Sequence, residues 1–145
     1  MLEAGKQSPD LSYVTAEGET KNIVSDGEKT WVVFFPFAFS GTCTSEICDM
    51  RDNSEKYSEP GLNYVFITCD ASHSQKAWAA ELGYKGAWIS DFYPHGEISK
   101  KFGVFNEELG CSNRVSFLVS ETGQIEKVLD SESIGAPRDP SQYKS

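Results

Sequence analysis

Three uninterrupted apolar runs punctuate the chain: Trp31-Val-Val-Phe-Phe35, Tyr64-Val-Phe-Ile-Thr68 and Val115-Ser-Phe-Leu-Val119. Short runs rich in β-branched and aromatic residues suit central strands covered on both faces. Between them the period shifts toward that of a helix. Ile47, Met50, Ser54 and Tyr57 trace one face of a helix beginning near Cys43. Further on, Ser72-x-x-Gln75 has the spacing of a capping box, Ala77, Trp78 and Leu82 supply a face, and Gly83 stands where that helix would stop. Ile98 and Phe102, one helical turn apart before Gly103, mark another short helix. Residues 11–15 and 21–24, joined by Ala-Glu-Gly-Glu, read as an antiparallel hairpin, and Glu121-Thr-Gly-Gln joins residues 115–119 to 125–129 in the same manner. Strands alternating with helices, with hairpins near both ends, predict a three-layer α/β fold: a central mixed sheet flanked by helices, with an N-terminal β-hairpin. After Asp130 the sequence SESIGAPRDPSQYKS holds two prolines and few apolar residues, so residues 130–145 are expected to form an extended or loosely held tail.

No repeat or linker divides the 145 residues, which fit a single domain over 1–145. A chain of this size buries roughly 70% of the surface its unfolded form exposes, so it can build a core without metals or disulfides. Thirteen Lys and Arg stand against 22 Asp and Glu, a net charge of −9, and no stretch gathers the basic residues into a stripe that could follow a phosphate backbone. Nucleic acid is therefore excluded as a partner. The N-terminal MLEAGKQSPD is polar, and no apolar segment persists long enough to cross a bilayer, which points to a cytoplasmic protein with no membrane partner. In that compartment the four cysteines matter for reactivity rather than as staples. Their spacing, C-x4-C with Cys69 and Cys111 scattered beyond, lacks the paired short spacings of a zinc site, and neither His73 nor His95 forms a ligand pair with a cysteine. No metal and no cofactor is expected.

Cys43 is the candidate nucleophile. The strand ending at Phe35 runs into a loop, residues 36–42, and a helix starts at or just after Cys43. The first turn of a helix presents unpaired backbone N–H groups and the positive end of its dipole, which favour an anion, and thiolate is the reactive form of cysteine. Pro36 donates no hydrogen bond and can wall off a pocket, Ser40 offers a hydroxyl three residues before the sulfur, and Gly41 permits a close turn between them.

The stretch Pro36-Phe-Ala-Phe-Ser40-Gly-Thr-Cys43 resembles the Pro-x-x-x-Thr/Ser-x-x-Cys signature of peroxiredoxins, and Glu46 fits three residues later. The resemblance extends from Gly5-x-x-x-Pro9-Asp10, through Ser90-Asp-Phe-Tyr-Pro-His-Gly96 and Phe102-Gly-Val-Phe-Asn106, to Asn113-Arg114 before the strand of residues 115–119. These segments look most like the alkyl hydroperoxide reductase E group. The resemblance implies a thioredoxin-like fold and a thiol-dependent peroxidase acting on hydrogen peroxide and organic hydroperoxides. It makes Cys43 the peroxidatic cysteine, which attacks the terminal peroxide oxygen and becomes a sulfenic acid. Arg114 becomes the cation that stabilises charge moving from sulfur to the departing oxygen. Ser40 replaces the commoner Thr, keeping a hydroxyl for thiolate and peroxide while losing a methyl group that stiffens the rotamer.

A sulfenic acid is reduced either by an outside thiol or through a disulfide with a resolving cysteine. C-x4-C resembles the bacterioferritin comigratory protein (Q-type) peroxiredoxins, whose resolving cysteine lies on the same helix, whereas the E group typically has none there. Five residues along a helix rise about 7.5 Å and turn about 140°, leaving the Cα atoms roughly 8.6 Å apart. A disulfide needs less than about 7 Å, so resolution by Cys48 requires local unwinding. Cys111, just before Arg114, is the rival resolver, Cys69 reads as a core thiol, and a one-cysteine cycle stays open. The reductant is expected to be thioredoxin, a glutaredoxin-like redoxin or a small thiol. A homodimer is implied, with Phe37, Phe39 and Tyr93 available for its surface, while Trp31, Trp78, Trp88, Phe92 and Phe105 read as core or interface residues. His73 and His95 read as surface or loop hydrogen-bonders. The competing class is a non-catalytic thioredoxin-like redox sensor or scaffold; a thiol–disulfide oxidoreductase is disfavoured because C-x-x-C is missing.

Overall fold

In the computed structural model, which describes residues 1–145, the three apolar runs become the inner strands of one sheet. The elements in chain order are β1 (Ser12–Val14), β2 (Thr20–Asn22), β3 (Lys29–Phe34), α1 (Gly41–Asp52), α2 (Ser54–Tyr57), β4 (Leu62–Thr68), α3 (Ser72–Leu82), β5 (Ala87–Ser90), α4 (Glu97–Lys101), β6 (Phe105–Asn106), β7 (Cys111–Ser112), β8 (Val115–Val119) and β9 (Ile125–Asp130). The main sheet has the order β5-β4-β3-β8-β9; β1-β2 and β6-β7 are separate antiparallel pairs. β3, β4 and β5 run parallel, and β8 and β9 are antiparallel to their neighbours, so the sheet is mixed as expected. No helix is long and apolar enough to cross a membrane.

Side chains alternate across a strand, and β3 feeds two cores in this way. Val32 and Phe34 pack with Ile23, Phe102 and Phe117 on one face; Trp31, Val33 and Phe35 pack with Cys43, Ile47 and Trp78 on the other. The strand registers then decide where chemistry can gather. Val33 pairs with Ser116 in the antiparallel β3–β8 ladder, so the residues just before β8 lie beside the end of β3. Val115 pairs with Asp130 in turn, and the tail leaves the sheet at that same edge, with Ser131 donating to the Arg114 carbonyl at 3.4 Å. The loop into α1, the start of β8 and the beginning of the tail thus converge.

Several local expectations are corrected. The first hairpin pairs Ser12–Val14 with Thr20–Asn22 as strands, and beyond them Ile23 N donates to the Leu11 carbonyl at 2.9 Å while its side chain enters the core. The helical face expected from Ile47 to Tyr57 is two helices, broken at Asn53, and Ser54 is exposed. Ser72 caps nothing; Ala71 holds that position, and Gln75 is buried, donating to Thr68 Oγ1 and the Ile89 carbonyl, each at 2.9 Å. Ala77 is exposed, while Gly83 does end the helix in the left-handed conformation. β5 is a four-residue strand that the hydrophobic pattern alone did not mark.

The tail departs furthest from expectation. Residues 131–145 contain only a short 3-10 turn (Pro140–Gln142), yet Arg138 and Tyr143 are buried at 3% and 6% exposure. The physical reason is one polar anchor and one aromatic anchor. Arg138 reaches the carbonyl of Phe34 at 2.7 Å, and the Tyr143 ring meets Trp31 edge-on at 5.0 Å, with its hydroxyl 2.8 Å from Ser116 Oγ. The segment is irregular but not loose.

Candidate active site

Cys43 is the third residue of α1 and has no solvent exposure. The helix therefore starts two residues earlier than the sequence suggested, which places the sulfur inside the first turn, where backbone N–H groups have no intrahelical acceptor. Ser40 is the residue before the helix, with extended backbone, and its carbonyl accepts from Thr44 N at 2.9 Å. Its hydroxyl donates to the Phe37 carbonyl at 3.1 Å rather than to the sulfur, because the loop folds back on itself through Phe39 in the left-handed region (φ 66°). Asp70 holds this loop from outside, accepting from Ala38 N at 2.8 Å, and Trp78 donates to Thr44 Oγ1 at 3.2 Å. Pro36 is buried and lines the cleft beside Cys43.

From the start of β8, Arg114 is delivered to the sulfur. Its Nη2 donates to Cys43 Sγ at 3.3 Å, Nη1 donates to Glu46 Oε1, and Nε donates to the Ile134 carbonyl at 3.0 Å. Glu46, one turn after Cys43, also binds Arg138: the backbone N and Nε of Arg138 donate to Oε2 at 3.0 Å, and Nη2 donates to Oε1 at 2.8 Å. Burial alone pushes the Glu46 carboxyl up, but the hydrogen bonds and charge of Arg138, joined by the charge of Arg114, outweigh it and hold the group below the ordinary carboxylate range. Two buried guanidiniums share one carboxylate, which leaves a surplus positive charge that an anion at the sulfur position neutralises.

A cleft of about 210 Å³ opens over this site, lined by Pro36, Phe37, Ser40, Leu109, Arg114 and Ile134.

The other cysteines are placed differently. All four thiols are free. Cys48 is half-buried on the same unbroken α1. Cys111 is fully buried in β7, whose Ser112 hydroxyl donates to the Phe35 carbonyl at 2.9 Å; burial, with the neighbouring Cys43 and Asp70 charges, pushes its thiol up to about 11. Cys69 is likewise pushed up to about 11 by burial and lies 3.8 Å from Ser99 Oγ. His95 bridges the Phe92 and Gly110 carbonyls, His73 is exposed, and both lie apart from Cys43's contacts. Trp31 and Trp78 are buried, whereas Phe92 is exposed and so is not a core residue, and Phe37, Phe39 and Tyr93 are exposed too.

Sequence reasoning missed Arg138 and Asp70. Arg138 stands between prolines in a polar tail, where an arginine carries no periodicity. Asp70, two residues past the end of β4, carried a weak signal: loops at the carboxyl ends of parallel strands are where α/β sheets place their sites.

A mixed sheet of this order, with a buried cysteine opening the helix after its central strand and a guanidinium on the sulfur, defines a thioredoxin-fold thiol enzyme. Residues 4–128 match the sequence profile of the AhpC/TSA family, and the chain belongs to that family. Alkyl hydroperoxide reductase E of Mycobacterium tuberculosis is 32% identical over 130 residues, covering 86% of this chain and 83% of the relative. Peroxiredoxin Bcp of Escherichia coli is 29% identical over 136 residues, covering 89% and 86%. Among solved structures, Enterococcus faecalis AhpC superposes with a TM-score of 0.80 at 24% identity (98% of this chain, 88% of that one), and peroxidoxin BcpB from Mycobacterium tuberculosis with 0.77 at 23% (93% and 90%). Both share the fold.

Proposed function

We propose that Cys43 is the peroxide-reducing residue of this thiol-dependent peroxidase, with hydrogen peroxide and organic hydroperoxides as substrates. The observation that carries this reading is the Arg114 Nη2 contact to Cys43 Sγ at 3.3 Å in a buried, positively charged pocket. The thiolate attacks the terminal peroxide oxygen along the O–O axis. The S–O bond forms as the O–O bond breaks, and the departing alkoxide or hydroxide takes a proton to leave as alcohol or water. Arg114 stabilises charge spread over sulfur and both oxygens, an interaction strongest in the transition state. Glu46, held by Arg138, fixes the plane of that guanidinium. Pro36 walls the cleft, and the Ser40 hydroxyl is free to turn from the Phe37 carbonyl to an arriving peroxide.

The sulfenic acid is then attacked by Cys48, forming a disulfide and releasing water, after the first turns of α1 unwind; an outside thiol completes the reduction. Cys111, buried and pushed up to about 11, is the poorer resolver. Thioredoxin, a glutaredoxin-like redoxin or a small thiol serves as reductant. Residues 1–145 act as one unit, and exposed Phe37, Phe39 and Tyr93 suit a homodimer surface beside the cleft. A non-catalytic scaffold is not favoured, because it gives no reason for a guanidinium aimed at a buried sulfur. The test is peroxide consumption with a thiol reductant. Wild type should turn over and Cys43→Ser should not; unchanged consumption by Cys43→Ser refutes the assignment.

A further inference from the structure

Leu109 is a large apolar side chain left half in solvent, at 51% exposure, on the lip of the cleft that leads to Cys43. It sits at the tip of the β6–β7 hairpin, where the chain folds on itself: the amides of Glu108 and Leu109 both donate to Asn106 Oδ1 at 3.1 Å, and Gly110 N donates to the Asn106 carbonyl at 2.8 Å. The base of the hairpin is tied into the body, through Ser112 Oγ on the Phe35 carbonyl and Asn113 N on the Val104 carbonyl. From the tip, residues 107–110, one hydrogen bond alone reaches outside the hairpin, between His95 Nε2 and the Gly110 carbonyl at 2.7 Å. We propose that His95 is a positioning residue: acting through Gly110, it holds Leu109 over the cleft and so sets the preference for hydroperoxides with an apolar substituent over hydrogen peroxide. This rests on the reading of Cys43 as the peroxide-reducing residue.

The anchor is stiffer than what it holds. His95 belongs to the loop over residues 91–96, where the Asp91 carboxylate accepts from Ile98 N and Ser99 N at 2.8 Å each and Gly96 N donates to the Asp91 carbonyl at 2.9 Å. Gly96, at φ 73°, lies against the Phe105 ring with no room for a Cβ, and the imidazole stands edge-on to Phe92 and Phe105 at 6.1 and 5.9 Å. Its other nitrogen, Nδ1, faces the Phe92 carbonyl at 3.1 Å. Both partners are acceptors, and a neutral imidazole donates through one nitrogen only. The two-sided bridge is therefore complete in the imidazolium, while a neutral ring leaves one carbonyl facing a lone pair. Nearby charges offer no substitute partner. Glu97, Lys100 and Lys101 of α4 border the same hollow as the ring, but Glu97 is paired with Lys101 at 3.6 Å and Lys100 Nζ sits 4.9 Å over the Phe105 ring. Asp91 is turned inward to α4, and Tyr93 in the loop and Glu107 and Glu108 in the turn are exposed.

The consequence falls on the organic part of the substrate. Every peroxide meets Cys43 and Arg114, but only a substituent on the departing oxygen extends to the lip, and hydrogen peroxide carries none. A tip held in place gives that substituent an apolar wall; a tip released from His95 gives it water.

The test measures, by stopped flow on the full reduced chain, the rate of Cys43 oxidation by cumene hydroperoxide divided by the rate with hydrogen peroxide, a ratio from which the ionisation of Cys43 cancels. A half-exposed apolar contact discriminates less than a closed pocket, so His95→Gln and Leu109→Ala should each lower the ratio about fivefold. The double variant should fall no further than Leu109→Ala alone, because residues acting in series are not additive. In the wild type the ratio should decline as pH rises from about 5.5 to about 8.5, the range in which a histidine gives up its second proton, and in His95→Gln it should stay flat. A ratio unchanged in His95→Gln, a double variant equal to the product of the two singles, or a wild-type ratio independent of pH overturns the proposal. If neither peroxide oxidises Cys43, the peroxidase reading itself fails and the proposal falls with it. Should His95→Gln not fold, the wild-type pH profile still decides.

Discussion

Glu46→Gln isolates the charge that joins the helix, β8 and the tail. The substitution keeps the side-chain shape and removes one negative charge from between two guanidiniums. Glu46 accepts three donors from Arg138 and one from Arg114, at 11% side-chain exposure. Glutamine retains one acceptor oxygen and turns an NH2 group toward donors, so about two of these contacts are lost. Hydrogen bonds to charged groups contribute about 1.5–3 kcal/mol each, and breaking one partner of a buried ion pair costs about 3–5 kcal/mol. Because the tail can relax toward water, the lower end applies: about 3 kcal/mol at pH 7. At about 2–4 °C per kcal/mol for a domain near this size, the midpoint should fall by roughly 6–12 °C.

The pH dependence carries the sharper test. The folded carboxyl is held below its ordinary value of 4.5, so its contribution is fully present above that value and is lost as pH falls through the folded-state value. The difference between wild type and Glu46→Gln should therefore be largest at neutral pH and shrink progressively below 4.5. Urea unfolding of both proteins under reducing conditions, at pH 7 and across the acid range, measures this directly. A loss under about 1 kcal/mol at pH 7, or a loss independent of pH, would show that the carboxylate is not the ionic tie described here.

Three further outcomes follow from the same geometry. Arg114→Gln should lower kcat/KM for peroxide by about 100-fold or more, as expected for removing a donor aimed at transition-state charge, and stopped-flow oxidation would refute the role if the rate fell less than about tenfold. Cys69 and Cys111, both pushed up to about 11 by burial, should resist N-ethylmaleimide at pH 7.5 in the reduced protein, since well under about one part in a thousand is thiolate there; mass mapping that finds them labelled as fast as half-buried Cys48 contradicts the burial. Phe39, at φ 66° and 52% exposed, should accept Gly with little loss, whereas Phe39→Val should be destabilised relative to Gly by about 1–2 kcal/mol, read by chemical unfolding; equal stabilities would remove the left-handed constraint.

What the sequence made legible divides along the range of the interactions. The strands over residues 31–35, 64–68 and 115–119 were readable because a buried strand writes its own apolar run, and the Cys43 pocket was readable because Pro36, Ser40 and Cys43 lie within one turn and helix start. Arg114 required the resemblance, since the β3–β8 register that brings it to Cys43 across 71 positions leaves no local mark. Arg138 was illegible for a related reason. Its burial comes from Glu46 and the Phe34 carbonyl, partners 92 and 104 positions away, and polar satisfaction has no period. The surrounding SESIGAPRDPSQYKS looks like a chain end that cannot build a core, and by its own composition it cannot. It is ordered because the site supplies a carboxylate and an aromatic floor, so its order depends on α1 keeping its shape. The segment whose own sequence says least is thus joined to the helix that carries Cys43 by three Arg138 donors on Glu46.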